Sequence, residues 1–150
     1  MAHKYYKGRF HPKNPQKYVG NIDNIIWRSS WEFRVMKFLD ENSSILAWNS
    51  EETVIPYISP LDNSQHRYFP DFLVRANTKT GIKTMMWEVK PQNQSDEPKM
   101  KSKITKRYIT EVARYGVNQS KWRAAKKFCD DRGWEFRVIT ENDLFGKSAK

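Results

Sequence analysis

The stretch from residue 67 to residue 90 constrains this chain most, because it reads as two strands joined by a short turn. Residues 68–74 and 85–90 are rich in aromatic and aliphatic side chains, and residues 77–81, Asn-Thr-Lys-Thr-Gly, are typical of a turn. Strands this close in sequence pair as a hairpin. The sequence therefore predicts a fold built around this hairpin.

Three charged residues meet if the hairpin pairs in a suitable register. Side chains alternate across a pleated strand, so Glu88 and Lys90 share one face while Val89 points into the core. With Asp71 beside them, two carboxylates and one ammonium converge at a strand end. Hard cations bind carboxylate oxygens, and a neighbouring lysine can handle a water or a phosphate charge. The pattern indicates metal-dependent chemistry on a phosphodiester.

A competing interpretation gives these residues no chemistry. Glu88 and Lys90 would then form a solvated strand face, and Pro70-Asp71 an edge or turn device, because proline cannot donate to a central ladder. We favour the site, because Asp71 lies among aromatic and aliphatic residues, where a charge is costly without a partner or a role. An acidic helix residue, Glu32, also precedes the pair and can pack on the same sheet.

Charge and length narrow the classes of function. The chain has 150 residues, which suits one domain with a real core, and its net charge of +10 favours a polyanionic partner. Charge alone does not separate nucleic acid from an anionic membrane. No apolar run approaches the roughly 20 residues of a membrane span, and the N-terminus lacks the apolar core of a signal peptide. We therefore expect an intracellular protein without a membrane segment.

Cysteine and histidine usage restricts the metal ligands. Cys129 is the only cysteine, which excludes an internal disulfide and a cysteine-rich zinc site. His3, His11 and His66 are scattered along the sequence. A metal in this protein is therefore expected to be held by oxygen atoms.

A basic N-terminal arm, residues 1–20, precedes the predicted catalytic domain, residues 21–150. The arm mixes lysines and an arginine with Tyr5, Tyr6 and Phe10 and shows no helical or strand period. Such a segment can lie along a phosphate backbone or dock on the domain, and a mobile solvated tail is an equal alternative.

The first helix is predicted over residues 22–42. Ser29 followed by Glu32 has the form of a capping box, so Glu32 has a structural explanation that competes with a catalytic one. Arg28 and Arg34 flank Glu32 and are candidate DNA contacts. The apolar stripe of this helix is predicted to contain Trp31, Val35, Phe38 and Leu39.

The remaining elements complete an α/β fold with a mixed central sheet flanked by helices. Short strands over 45–48 and 52–58 join the hairpin in a mainly antiparallel sheet, and 91–98 forms an exposed loop beside the site. A second helix is predicted over 99–115. Its candidate DNA-binding cations are Lys99, Lys101, Lys103, Lys106 and Arg107, and its apolar side is Ile104, Tyr108, Ile109, Val112 and Tyr115.

A third helix is predicted from Asn118 to Gly133, followed by a strand over 134–140. Its core-facing residues are predicted to be Trp122, Ala125, Phe128 and Cys129. A strand, helix, strand order gives the parallel return expected of a mixed sheet. A solvated helix face remains the common alternative explanation for the basic cluster of the second helix.

The order of Glu32, Pro70-Asp71 and Glu88-Val89-Lys90 resembles the signature of the PD-(D/E)XK nuclease superfamily. With the final helix and strand it is similar to the nuclease subunit of heteromeric bacterial transposases and to phage junction-resolving endonucleases. Over its whole length, including residues 27–32, Trp-Arg-Ser-Ser-Trp-Glu, the chain most closely resembles head completion nucleases of large tailed bacteriophages.

The resemblance implies a restriction-endonuclease-like fold and metal-dependent hydrolysis of DNA. Asp71 and Glu88 would hold Mg²⁺, or Mn²⁺ in its place, with the Val89 carbonyl as a further ligand and Glu32 as a ligand to a second ion. Lys90 would position or deprotonate the attacking water and offset charge on the transition state. No small-molecule cofactor is implied.

By the same resemblance, the protein trims packaged double-stranded DNA and readies the filled head for neck and tail attachment. Its partners would be DNA and phage head, portal or neck proteins, and its location the virion and the host cytoplasm. Two alternatives stay open: a junction-resolving endonuclease, and a non-catalytic DNA-binding protein of the head or neck.

Overall fold

A four-stranded mixed sheet forms the centre of the molecule. The computed structural model describes residues 7–91, 96–99, 103–140 and 142–143, so the predicted contact Lys101 lies outside them. The helices and strands are β1 (Gly8–Arg9), β2 (Ile26–Trp27), α1 (Ser30–Glu41), β3 (Ile45–Ser50), β4 (Ile55–Ile58), β5 (Gln65–Tyr68), β6 (Phe72–Thr78), β7 (Gly81–Val89), α2 (Lys106–Asp130) and β8 (Glu135–Ile139).

The sheet has the order β3-β6-β7-β8. β6 and β7 form the predicted hairpin, with Phe72 opposite Trp87 and the turn between Thr78 and Gly81. β3 pairs antiparallel with β6, whereas β8 pairs parallel with β7 after the crossover through α2. The predicted α/β class, a mixed sheet flanked by helices, is confirmed.

Two apolar cores cover the two faces of this sheet. The first lies between the sheet, α1 and the N-terminal segment, and its most buried residues include Met36, Leu39, Trp48 and Phe72. The second lies between the sheet, the β4-β5 hairpin and α2, and includes Met86 and Cys129. Cys129 is a buried, unpaired residue, as its apolar setting predicts.

The N-terminal segment from residue 8 to residue 18 packs on the domain. Its residues Phe10 and Tyr18 are buried in the first core. The backbone N–H groups of Lys13 and Asn14 donate to the buried carboxylate of Asp40 over 2.8 and 3.0 Å. These bonds satisfy a buried charge and fasten the segment to the end of α1.

The first helix is shorter than its predicted range of 22–42, which is wrong at the N-terminal end. α1 begins at Ser30 because Ser29 is its N-cap, and the Ser29 hydroxyl accepts the N–H of Glu32 over 3.1 Å. Residues 26 and 27 instead form β2 against β1. The predicted core position Phe38 is also wrong, since its side chain is 49% exposed and Met36 is buried instead.

The predicted strand over 68–74 is interrupted. β5 ends at Tyr68 and β6 begins at Phe72, so Pro70-Asp71 separates two strands that belong to different sheets. Proline lacks the N–H that a ladder requires, which is the physical reason for the break. β4 and β5 pair only with each other among the described strands, which corrects the single continuous sheet predicted for residues 45–90.

The two helices predicted after the hairpin are one continuous helix, α2, of 25 residues. The Asn-Gln-Ser sequence at 118–120 resembles a helix start, yet Asn118 is buried inside α2. The apolar side predicted for the second helix is also wrong in part, because Ile104 lies before the start of α2 and Ile109 and Val112 are exposed. Within the described residues, neither helix combines the length and apolar character needed to cross a bilayer.

Candidate active site

The hairpin register brings Asp71 to the C-terminal end of β7. Asp71 directly precedes Phe72, which pairs with Trp87, so its carboxylate lies beside Glu88 and Val89. Asp71 Oδ2 accepts the backbone N–H of Val89 over 2.8 Å, and its carbonyl accepts the N–H of Glu51 over 3.1 Å. The structure therefore places Asp71 where the strand pairing of the sequence prediction required it.

Glu88 is a buried carboxylate with two partners. Its side chain points to the α2 face of the sheet, where the Tyr68 hydroxyl donates to Oε1 over 2.6 Å. Lys90 Nζ lies 3.8 Å from Oε2, so the alternation that places Glu88 and Lys90 on one face is confirmed. Because Glu88 is only 7% exposed, both contacts act where water screens little.

Burial and like charges make the acidic pair unfavourable without a cation. Burial raises the pKa of the Asp71 carboxyl well above its ordinary value, and the charges of Glu88 and Glu32 raise it further. Burial also raises the pKa of Glu88, while the Tyr68 hydrogen bond and the ammonium groups of Lys90 and Lys121 oppose that change. The site favours either a bound proton or a bound metal ion.

Glu32 combines the capping role with a place in this acidic group. Its Oε1 accepts the backbone N–H of Arg28 over 3.0 Å, and its own N–H donates to Ser29. Burial raises the pKa of Glu32, and the charges of Glu51 and Glu88 add to the increase. These contacts show Glu32 at the start of α1, and its role as a metal ligand stays a prediction.

Substituting Glu32 by glutamine separates the two roles. Glutamine keeps an oxygen that can accept the Arg28 N–H, so we expect the free energy of unfolding to stay close to that of the wild type. Loss of the negative charge should lower cleavage by about 10–100-fold if Glu32 helps to hold a metal ion. Ser29→Ala is the matched control, expected to cost ~1 kcal/mol of stability and to spare cleavage by the folded protein. Wild-type cleavage by Glu32→Gln would restrict Glu32 to capping.

Three residues near the site carry no signal in the sequence. Glu51 follows β3 with a left-handed φ of 55° and forms an ion pair with Arg28 over 3.2 Å. Tyr68 supports Glu88, and Lys121 of α2 lies over the Tyr68 ring at 5.6 Å from its centroid. They come from separate elements, so only the tertiary fold shows that they are neighbours.

The residues predicted to bind DNA differ in their exposure and in their charged partners. Arg28 is paired with Glu51, which raises the pKa of its guanidinium, and Arg34 is exposed on α1. Arg107 is exposed and paired with Glu111 over 3.3 Å. Their role in DNA binding stays a prediction, as it does for the exposed lysines Lys99, Lys103 and Lys106.

A surface pocket of about 320 Å³ opens where the start of α1 meets the end of β7. Helix N-termini favour anions, because their first N–H groups and the helix dipole point toward them. Lys90 adds a positive charge on the other side of this pocket. Its lining residues are Ser29, Ser30, Trp31, Glu32, Val89, Lys90 and Pro91.

The donors here fit a divalent metal ion only in an open site. Within the ranges that the structure describes, no three His, Cys, Asp or Glu side chains are grouped closely enough to hold a metal by themselves. Asp71 and Glu88 nevertheless supply two carboxylates, and Mg²⁺ is commonly held by one or two carboxylates together with waters and substrate phosphates. The residues therefore fit Mg²⁺ bound with a phosphate and do not fit a closed protein cage.

Metal binding should appear as a pH-dependent gain in stability. Because folding raises both carboxyl pKa values, the metal-free protein loses stability as pH rises from their ordinary values, 3.8 for Asp71 and 4.5 for Glu88, through the raised values. At pH values above that window, we expect Mg²⁺ at roughly 100 times its Kd to increase the free energy of unfolding by about 2.7 kcal/mol and so to raise the Tm. At pH values below the window, Mg²⁺ should change the Tm little. Thermal unfolding with Mg²⁺ or EDTA measures this effect.

Asp71→Asn is the control for the metal effect. The variant should lack the Mg²⁺-dependent increase in Tm at every pH, because it removes one of the two buried charges. An equal increase in the wild type and the variant would place the bound ion elsewhere on the protein.

The fold and the convergence of charges on the end of β7 define the class of protein: a nuclease of the PD-(D/E)XK type. Residues 42–141 match the family model described as "TnsA-like endonuclease N terminal". The chain belongs to this family and is an endonuclease. The match includes Asp71, Glu88 and Lys90, whereas Glu32 lies before its first residue.

A similar curated protein narrows the comparison further. The chain is 35% identical over 143 residues to the "Head completion nuclease" of Enterobacteria phage T4, and the alignment covers 93% of each chain. No solved structure gives a significant match. The resemblance to head completion nucleases drawn from the sequence is thereby confirmed.

Proposed function

We propose that this endonuclease hydrolyses DNA phosphodiesters with Mg²⁺ and trims packaged phage DNA during head completion, before the neck and tail attach. The observation that carries the chemistry is the meeting of Asp71, Glu88 and Lys90 at one strand end. The similarity to a head completion nuclease supports the biological setting. It also supports phage head, portal or neck proteins as partners, with the virion and host cytoplasm as its locations.

Asp71 and Glu88 are the residues that would hold Mg²⁺ or Mn²⁺, with the Val89 carbonyl as a further ligand. A bound ion supplies polarisation of the scissile phosphate and a lower pKa for a bound water. Tyr68 fixes one oxygen of Glu88 through a buried hydrogen bond, so the other oxygen points toward Lys90 and the open side of the site. The protein thereby holds its acidic ligands in place before substrate arrives.

Lys90 acts on the water and the phosphate. Its side chain is 28% exposed, the residue lines the open pocket, and its ammonium is paired with Glu88. There the ammonium orients the attacking water through a hydrogen bond that it donates, and it offsets the negative charge that grows on the phosphate oxygens. The start of α1 presents further positive potential to the same phosphate.

Metal-dependent cutting tests the chemical part of the proposal. Purified protein is incubated with linear duplex, flapped duplex and four-way junctions in Mg²⁺, Mn²⁺ or EDTA. We expect cleavage with either metal and none in EDTA. A protein that shifts DNA identically in Mg²⁺ and EDTA and leaves it whole would be a binder, and strong preference for the junction would indicate a resolving endonuclease.

Genetic complementation tests the trimming role. A phage whose own copy of this gene is disrupted is supplied with wild-type protein or with Lys90→Ala. We expect infectious particles only with the wild type, and filled heads that fail to join tails with the variant. Full rescue by Lys90→Ala would assign the protein a structural place in the head or neck.

A further inference from the structure

Among the described residues, α2 contributes to the second core mainly through its second half. Its 25 residues span about 37 Å at 1.5 Å per residue. The residues that α2 contributes to the second core begin at Val117 and continue to Cys129. In the first half, Ile109 is 57% and Val112 is 44% exposed. This half of the helix therefore offers its sides to a partner or to solvent.

Lys121 is the residue of α2 whose contacts locate the helix relative to the active site. Its ammonium lies 5.6 Å from the ring centroid of Tyr68 and 5.9 Å from that of Tyr57. The same Tyr68 donates its hydroxyl to Glu88. One aromatic side chain thus separates Lys121 from a predicted metal ligand, so this point of α2 is the edge of the catalytic site.

Arg114 and Arg107 precede Lys121 by seven and fourteen residues. On an α-helix, residues seven apart lie on nearly the same side, with a drift of about 20° per heptad, and about 10.5 Å apart along the axis. Both arginines are exposed. Arg107 is paired with Glu111, an exposed i,i+4 contact that holds its partners weakly. The three cations therefore form one row that starts at the active site.

We propose that Arg107, Arg114 and Lys121, which we call the α2 cation row, contact the backbone of duplex DNA outside the cleavage site. The inference rests on the proposed DNA cleavage, because that function places a phosphodiester at the end of the row. Steps of about 10.5 Å correspond to about three base pairs of axial rise, so the row follows roughly six base pairs on one side of the cut. Contacts of this kind position the duplex without reading its bases.

Charge reversal on two sides of one helix tests the row. Arg114→Glu is compared with Lys126→Glu, since both residues are exposed on α2 and both changes alter the net charge equally. Lys126 lies about 140° around the helix from Lys121 and pairs with Asp130 over 3.2 Å. Binding to a fluorescent duplex of about seven helical turns is measured in Ca²⁺ over a range of salt concentrations.

We expect Arg114→Glu to weaken binding by about tenfold or more and to reduce the salt slope by about one ion, whereas Lys126→Glu changes affinity by less than about twofold. Arg114→Gln, which removes the charge and keeps a good helix former, should show the same direction. Equal losses of DNA affinity from the two charge reversals, or no loss from either Arg114 variant, would contradict the proposed contact between the α2 cation row and DNA.

Duplex length supplies an independent readout. Wild-type protein should bind a duplex of about 20 base pairs more tightly than one of about eight, and Arg114→Gln should lose most of that difference, because only the longer duplex reaches the far end of the row. A wild-type protein indifferent to length contradicts the row. If the wild type cleaves no DNA but Arg114→Gln still weakens DNA binding, the contacts of the α2 cation row would be supported and the proposed cleavage rejected. The two hypotheses can therefore fail separately.

Discussion

A Lys90→Ala variant is expected to cleave DNA about 10²–10⁴ times more slowly than the wild type while keeping its fold. The ammonium of Lys90 pairs with Glu88, and its removal takes away a group that would orient the attacking water and offset the phosphate charge. Single-turnover cleavage of linear duplex in Mg²⁺ measures the rate, and circular dichroism confirms the fold.

Lys83→Ala is the matched control for this experiment. Lys83 is also a lysine of β7, but it is exposed near the hairpin turn, opposite Ala76. We expect its rate to be within about twofold of the wild type, because a charge that is distant and screened contributes little. Comparable cleavage by Lys90→Ala and the wild type would end the assignment of Lys90 as a catalytic residue.

A Trp48→Ala variant is expected to lose about 3–5 kcal/mol of unfolding free energy. Trp48 is 1% exposed and contacts the rings of Phe10, Tyr18 and Phe72, so it joins the N-terminal segment to the central sheet. A domain of this kind has about 5–15 kcal/mol in total, so the change removes a large share. Urea denaturation measures the loss.

Leu46→Ala controls for position on the same strand. Leu46 is 42% exposed, and its truncation removes little buried area, so we expect a loss below about 1 kcal/mol. A similar loss from the two variants would mean that the N-terminal segment and the first core do not depend on Trp48. Release of the segment should also make it sensitive to protease in Trp48→Ala.

The features predicted correctly depend on neighbours close in sequence. The hairpin register follows from alternating side chains and a short turn, and it brings Asp71, Glu88 and Lys90 together as expected. The Ser29 cap follows from a spacing of three residues. In each case the interacting groups lie within one or two adjacent elements, so a local pattern contains enough information.

The features that were missed depend on distant parts of the chain. Nothing local to residues 118–120 shows that Asn118 is buried within a continuous α2. The separation of β5 from β6 is set by Pro70 and by the pairing of β5 with β4. Glu51 and Lys121 reach the site from other elements, and their proximity follows from packing and not from spacing.

The position of the site between two cores links catalysis to remote packing. In β7, Trp87 and Val89 pack against the first core and Met86 lies in the second. Glu88 stands between Trp87 and Val89 in the sequence. A slight shift of either layer would move the carboxylate before the domain melts. Heat-sensitive substitutions are therefore expected in both cores, far from any reacting atom. They should abolish DNA cleavage at temperatures where the protein is still folded.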